Sequence, residues 1–261
     1  MKEIQHKTFT NGSVYLLHTA DGFPIEVTDT FLPYYTKDAI GHKQNLLQTC
    51  ETGDRAERWM IGVSTMSGCP VKCKFCATAN LKKWRNLTAE EIAEQVKFII
   101  NKNPKYSPCT AKEFKINYTR MGEPGLNLEN VKGAIKLITE QYPNTHHYVS
   151  TIGIKGVDYS WVKGNITLQV SLHSLDDSRR NELIPYMHKL TISELGQIQT
   201  ESNLKTTVNL TLVDDTDFDI NKLKQWFDPA KFFIKLSPIN RNNISDKNNL
   251  GSGIITATNL I

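Results

Sequence analysis

The chain has 261 residues, 39% hydrophobic and 22% charged, with 31 Lys and Arg against 27 Asp and Glu for a formal charge of +4. That balance is ordinary for a soluble globular protein with a substantial core, and it speaks against disorder on a large scale. No run approaches the ~20 apolar residues of a membrane span, and five cysteines, three of them clustered, do not make a disulfide framework, so the expectation is a cytoplasmic protein with no membrane partner. The mild positive charge suits an anionic partner without demanding one.

In chain order, Val14 to Leu17, the turn Asp21-Gly22 and Ile25 to Thr28 predict a small N-terminal β-hairpin. A polar connector follows to residue 57, and 1–57 is read as a hairpin and connector ahead of a core over 58–240 and a tail over 241–261. Trp59 to Thr65 reads as the first core strand. Thr88 to Asn101 carries an N-cap threonine, Glu91 three residues on, and apolar positions at Ile92, Val96, Ile99 and Ile100, the pattern of a capped amphipathic helix. Strands are then expected at Phe114 to Thr119, His147 to Ile154, Ile166 to His173, Thr206 to Val213 and Phe232 to Ser237. Helices are expected at Leu128 to Gln141, in a short piece at Tyr159 to Lys163, in one or two segments of Asp176 to Glu201 broken at Pro185, and at Asn221 to Phe227. No clear helix is expected in the tail. Six β-α units in series predict an α/β fold with a parallel sheet.

Directly after the first core strand comes SGCPVKCKFCATA, which sets Cys69, Cys73 and Cys76 at spacings of four and three. Three thiolates in so short a loop can converge on one metal centre. No fourth cysteine or histidine lies close by, so the loop is incomplete for a structural zinc site or a plain electron-transfer cluster unless a distant ligand completes it. In parallel α/β folds the loops after the strands' carboxyl ends gather on one face. The sequence places polar residues at those ends: Gly122 and Glu123 after the second strand, Ser150 and Thr151 at the third, Ser171 and His173 at the fourth, Asn240 after the sixth. Period-two alternation puts Ser171 and His173 on one side. Each is ordinary by itself; their recurrence beside a three-thiolate loop predicts a pocket.

The run from Gly68-Cys69 through Lys72-Cys73-Lys74-Phe75-Cys76-Ala77-Thr78-Ala79 to Arg85-Asn86-Leu87-Thr88-Ala89-Glu90-Glu91-Ile92 resembles the radical S-adenosylmethionine (SAM) methyltransferases of the RlmN and Cfr group. Met121-Gly122-Glu123-Pro124, Ser150-Thr151, Ser171-Leu172-His173 and Pro238-Ile239-Asn240 match its later motifs in order. The resemblance implies a partial (β/α)6 TIM-like radical SAM barrel with a short N-terminal β-hairpin extension. It implies a [4Fe-4S] cluster on Cys69, Cys73 and Cys76, whose open iron binds SAM. Phe75, Gly122, Glu123, Ser150, Ser171, His173 and Asn240 would form the SAM pocket. It further implies an external electron donor of flavodoxin or ferredoxin type, reductive cleavage of SAM to a 5′-deoxyadenosyl radical, and an RNA or nucleotide-type substrate.

Methyl transfer in that group uses two more cysteines. The one expected seven residues before Cys69 is Gly62 here, and no cysteine follows Cys109. The expectation is therefore radical chemistry without methyl transfer, with Cys109 incidental in a helix-to-strand loop and Cys50 ahead of the core. Alternatives are a radical SAM enzyme acting on another small molecule or peptide, or a non-catalytic cluster protein. Lys72, Lys74, Lys82, Lys83 and Arg85 are read as a phosphate-facing patch or an ordinary solvated face.

Overall fold

The computed structural model describes residues 1–33, 53–212 and 218–251, which fall into two compact units. The first takes the described residues of Met1–Ser67 with Asn86–Met121 and Leu128–Tyr148; the second takes Gly68–Arg85, Gly122–Asn127 and the described residues from Val149 onward.

In the first unit β1 (Lys2–Phe9), β2 (Gly12–His18) and β3 (Pro24–Leu32) form an antiparallel meander. β3 continues antiparallel onto β4 (Arg58–Val63). The two-residue strands β5 (Met66–Ser67) and β6 (Arg85–Asn86) make a ladder of their own and bracket the cysteine loop in sequence. After α1 (Ala89–Lys102) comes β7 (Glu113–Tyr118), which pairs in parallel with β4. α2 (Leu128–Gln141) leads to β8 (His146–Thr151), whose first half belongs to this unit and whose second half to the other.

α1 starts at the expected capping box, with Thr88 and Glu91 bonding each other's backbone N–H groups. Its face of Ile92, Val96 and Ile99 is buried, and the helix packs on β3 and β4. Buried Gln95 accepts from Ser64 N–H and donates to Ser64 C=O, both at 2.8 Å, so the end of β4 is satisfied by a side chain.

The second unit carries β9 (Ile166–Ser171), α3 (Asp177–Leu183), α4 (Ile192–Gly196), β10 (Thr206–Leu212), α5 (Ile220–Trp226), β11 (Phe232–Pro238) and α6 (Asn243–Lys247). β10 pairs in parallel with both β9 and β11. Leu168 and Val170 of β9 and Val208 and Leu210 of β10 pack with Leu195, Leu223 and Phe227 from the helices. Each such buried side chain contributes about 1.5–3 kcal/mol relative to exposure.

Within the first unit the strands run in the order β1-β2-β3-β4-β7-β8, and within the second β9, β10 and β11 are neighbours, so each unit takes its core strands in chain order. This is the expected partial (β/α)6 arrangement behind an N-terminal antiparallel extension.

The structure differs from the sequence-based expectation at several points. The extension has a third strand, β1, which is exposed along almost its whole length and so carries no apolar alternation to reveal it. Tyr159 to Lys163 is turn, not helix. Asp158 accepts from Ser160 N–H and Oγ–H, and the Tyr159 hydroxyl accepts from Ile154 N–H. β9 stops at Ser171, and His173 has a φ of 62°, so the strand's alternation does not reach it. The tail contains the short helix α6. Most of the connector, Cys50 and residues 252–261 lie outside the described residues. No described helix is long and apolar enough to cross a membrane.

Candidate functional site

Every candidate site residue lies in the second unit. The cysteine loop starts at Gly68, whose φ is 70° and whose missing side chain would meet Lys83 C=O at 2.5 Å; this crossing of the loop's two ends requires glycine. Lys72 also has a positive φ, 59°, and its ammonium donates to Ala79 C=O at 3.2 Å and to Leu81 C=O. This lysine staples the loop to itself and is not part of an outward-facing patch. A 3-10 turn at Ala77–Asn80 ends the cysteine run.

An apolar cluster of Val71, Ile152, Ile154, Leu183, Ile184, Ile239 and Leu250 receives Cys69, Cys73 and Phe75. It brings together the cysteine loop and the segments after β8, β9 and β11, as expected of loops at strand carboxyl ends. Phe75 meets His173 edge to face, with ring centroids 4.8 Å apart. His173 is buried. Its Nδ1 accepts from Thr211 N–H at 3.1 Å, which leaves the proton on Nε2, and burial lowers its pKa to about 3. It is therefore a neutral hydrogen-bond donor across the working pH range.

Glu123 is buried and used as an acceptor. Its Oε1 takes Gly125 N–H at 2.8 Å and the Thr151 hydroxyl, and its Oε2 takes Ile152 N–H at 2.9 Å. Burial raises its pKa, and these bonds work against the rise. The carboxylate joins the turn Gly122–Asn127 to the end of β8. Gly122 has a φ of 104°, and Ser150 and Ser171 are half-buried at the ends of β8 and β9. Asn240 is exposed, and its backbone carbonyl accepts from the Asn242 side chain.

Three further residues of the site give no signal in the sequence. Arg180 is fully buried, with Nη2 donating to Ile152 C=O at 2.6 Å, Nη1 to Leu190 C=O at 2.6 Å and Nε to Leu172 C=O at 3.2 Å. Within DDSRRNEL it looks like part of a solvated helix face. Asn242 and Asn248 flank α6 and donate to the carbonyls of Phe75 and Lys74. Nothing in an Asn-rich tail distinguishes them from turn residues.

The three cysteines are free thiols. Burial pushes the Cys69 thiol up to about 12 and that of Cys73 well above the usual thiol range, with Glu123 and the neighbouring cysteines adding in the same direction. Such thiols stay protonated unless a metal takes the place of the proton. Among the described residues no three His, Cys, Asp or Glu side chains converge as one metal ion requires. Three sulfur donors in one short loop with an apolar setting are the donor chemistry that an iron-sulfur cluster uses.

A family model described as the radical SAM superfamily matches residues 63–226. A probable dual-specificity RNA methyltransferase RlmN of Pseudothermotoga lettingae is 34% identical over 191 residues, 68% of this chain and 54% of that protein. A probable dual-specificity RNA methyltransferase RlmN of Heliobacterium modesticaldum is 30% identical over 253 residues, 90% of this chain and 60% of that protein. The chain thus spans only 54% to 60% of the length of these curated relatives. Among solved structures, a radical SAM methyltransferase from Sphaerobacter thermophilus superposes with a TM-score of 0.68 at 23% identity, over 92% of this chain and 67% of the other, which is a likeness of fold.

Proposed function

The chain belongs to the radical SAM superfamily, and on that footing we propose that Cys69, Cys73 and Cys76 hold the family's [4Fe-4S] cluster while Phe75, Gly122, Glu123, Ser150, Ser171, His173 and Asn240 form the SAM pocket. Held by these residues and given an electron by a flavodoxin- or ferredoxin-type donor, a [4Fe-4S] cluster with SAM would supply reductive cleavage of SAM to methionine and a 5′-deoxyadenosyl radical for hydrogen abstraction. The protein's own contribution is to bind, orient and exclude water. The apolar cluster around Cys69 and Cys73 leaves both side chains only partly exposed. Glu123 fixes the turn that carries Gly122 against the end of β8. Neutral His173 presents one N–H and a ring face beside Phe75.

The proposed substrate is a nucleobase or nucleotide-type molecule, in keeping with the RNA methyltransferase relatives. Lys74, Lys82, Lys83 and half-exposed Trp84 on the outer side of the cysteine loop supply cations for phosphate and a ring for stacking.

The observation that carries the reaction type is Gly62. Methyl transfer in the RlmN and Cfr group takes a cysteine at this position, whereas a side chain built here would start 2.4 Å from Thr28 Oγ1 and 3.0 Å from Arg120 Cδ. Arg120 is in turn held by Glu26. The space for a resolving thiol is taken by an ion pair and a hydroxyl, so the proposal is SAM cleavage without methyl transfer to RNA. Incubating the reconstituted protein anaerobically with reductant, RNA and SAM labelled in its methyl group tests this. The expected result is 5′-deoxyadenosine with no label in RNA. Label in RNA would overturn the reaction type.

A further inference from the structure

We infer that α6 and its flanks form a clasp that fixes the backbone of the span between Cys73 and Cys76, with Asn242 and Asn248 as positioning residues; this rests on the reading that those cysteines hold a cluster. Only Lys74 and Phe75 separate the two cysteines, and both of their carbonyls are taken by side-chain amides from opposite ends of α6. Asn242 Nδ2 donates to Phe75 C=O at 2.9 Å, and Asn248 Nδ2 donates to Lys74 C=O at 2.9 Å. From the other side, Lys74 N–H donates to Leu183 C=O at the end of α3, also at 2.9 Å. Three directional bonds thus fix two consecutive residues.

The clasp is itself anchored. Ile239 and Leu250, one on each side of α6, are buried in the same apolar cluster that receives Cys69, Cys73 and Phe75. Asn242 is oriented by capping α6 with the rest of its amide. Its Oδ1 accepts from Ile244 N–H at 2.9 Å and Ser245 N–H at 3.2 Å, while the Ser245 hydroxyl accepts from Asn242 N–H at 2.8 Å. With Oδ1 committed to the helix, Nδ2 can only face the loop and Asn240 C=O. A five-residue helix is not stable by itself. Its folding and the fixing of the loop are therefore one event, and groups that orient metal ligands in this way typically alter metal affinity by about 10–100-fold when removed.

The test uses Asn242→Asp, which keeps the acceptor that caps α6 but loses the donor to Phe75, and Asn248→Leu, which removes the other donor without adding charge. Three properties are compared with the reconstituted wild type: the rate of iron loss to a chelator under anaerobic conditions, the paramagnetic resonance signal of the reduced cluster, and the thermal midpoint of the metal-free protein. Each variant is expected to lose iron about tenfold faster, with an altered resonance line shape and a loss of iron larger than any lowering of the metal-free midpoint accounts for. Wild-type rates and line shapes in both variants would overturn the clasp, as would faster loss fully matched by a lower metal-free midpoint. Failure of the wild type to take up iron and sulfide would instead overturn the cluster reading on which the clasp depends.

Discussion

Arg180 shows how much of the pocket is held by a residue that lies outside the sequence motifs. Its guanidinium reaches the backbone carbonyls of Ile152, Leu172 and Leu190, which follow β8, β9 and α3 respectively. Burial lowers its pKa to about 10, so it stays charged at neutral pH. Each buried carbonyl deprived of its donor costs about 1–3 kcal/mol. Arg180→Met is accordingly expected to destabilise the metal-free protein by roughly 3 kcal/mol or more, read from the denaturant midpoint. Arg180→Lys should recover little, because an ammonium cannot span the three carbonyls as a planar fork does; full recovery by lysine would show that charge alone matters. At this scale the sequence was legible where identity and spacing sit in one contiguous stretch, as in the three cysteines. It was not legible where a polar side chain bonds distant backbone. Glu123 and Lys72 are the instructive cases: both stand in recognisable loops, yet one carboxylate is spent on Thr151, Ile152 and Gly125, and one ammonium is spent on Ala79 and Leu81.

Among elements, the first unit contains a pH-sensitive joint. His147 on β8 lies 3.1 Å from the Tyr118 hydroxyl on β7 through Nδ1 and 3.0 Å from the Thr139 hydroxyl on α2 through Nε2. Burial, helped by neighbouring His146, lowers its pKa from 6.5 to about 4. The unfolded chain therefore binds a proton below pH 6.5 that the folded chain refuses until about pH 4, and stability must fall as pH drops through that window. A shift of this size corresponds to roughly 3 kcal/mol. His173 adds a loss of the same sign between 6.5 and about 3. Replacing His147 by Gln, which does not titrate, is expected to make the decline between pH 6.5 and 4 shallower by that amount in equilibrium unfolding of the metal-free protein. An unchanged slope would show that the histidine is not buried neutral. The elements best read from sequence were those with an apolar period and a cap, α1 above all. β1 and α6 escaped because backbone pairing defines the first and side-chain clasps the second, and neither leaves a hydrophobic pattern.

Over the whole chain, the family and the order of the core strands follow from local pattern, because each β-α unit signals itself independently. The reaction is less accessible, since it turns on what is present at single positions such as Gly62 and on how loops from several strand ends meet. The central claim is that the cysteine loop carries a cluster that cleaves SAM, and its most direct test is 5′-deoxyadenosine formation by the anaerobically reconstituted wild type beside Cys73→Ala. Iron and sulfide uptake with steady 5′-deoxyadenosine production is expected in the wild type, and the loss of both in the variant. Undiminished production by Cys73→Ala, or none by a wild type that holds its full iron and sulfide, would contradict the cluster assignment.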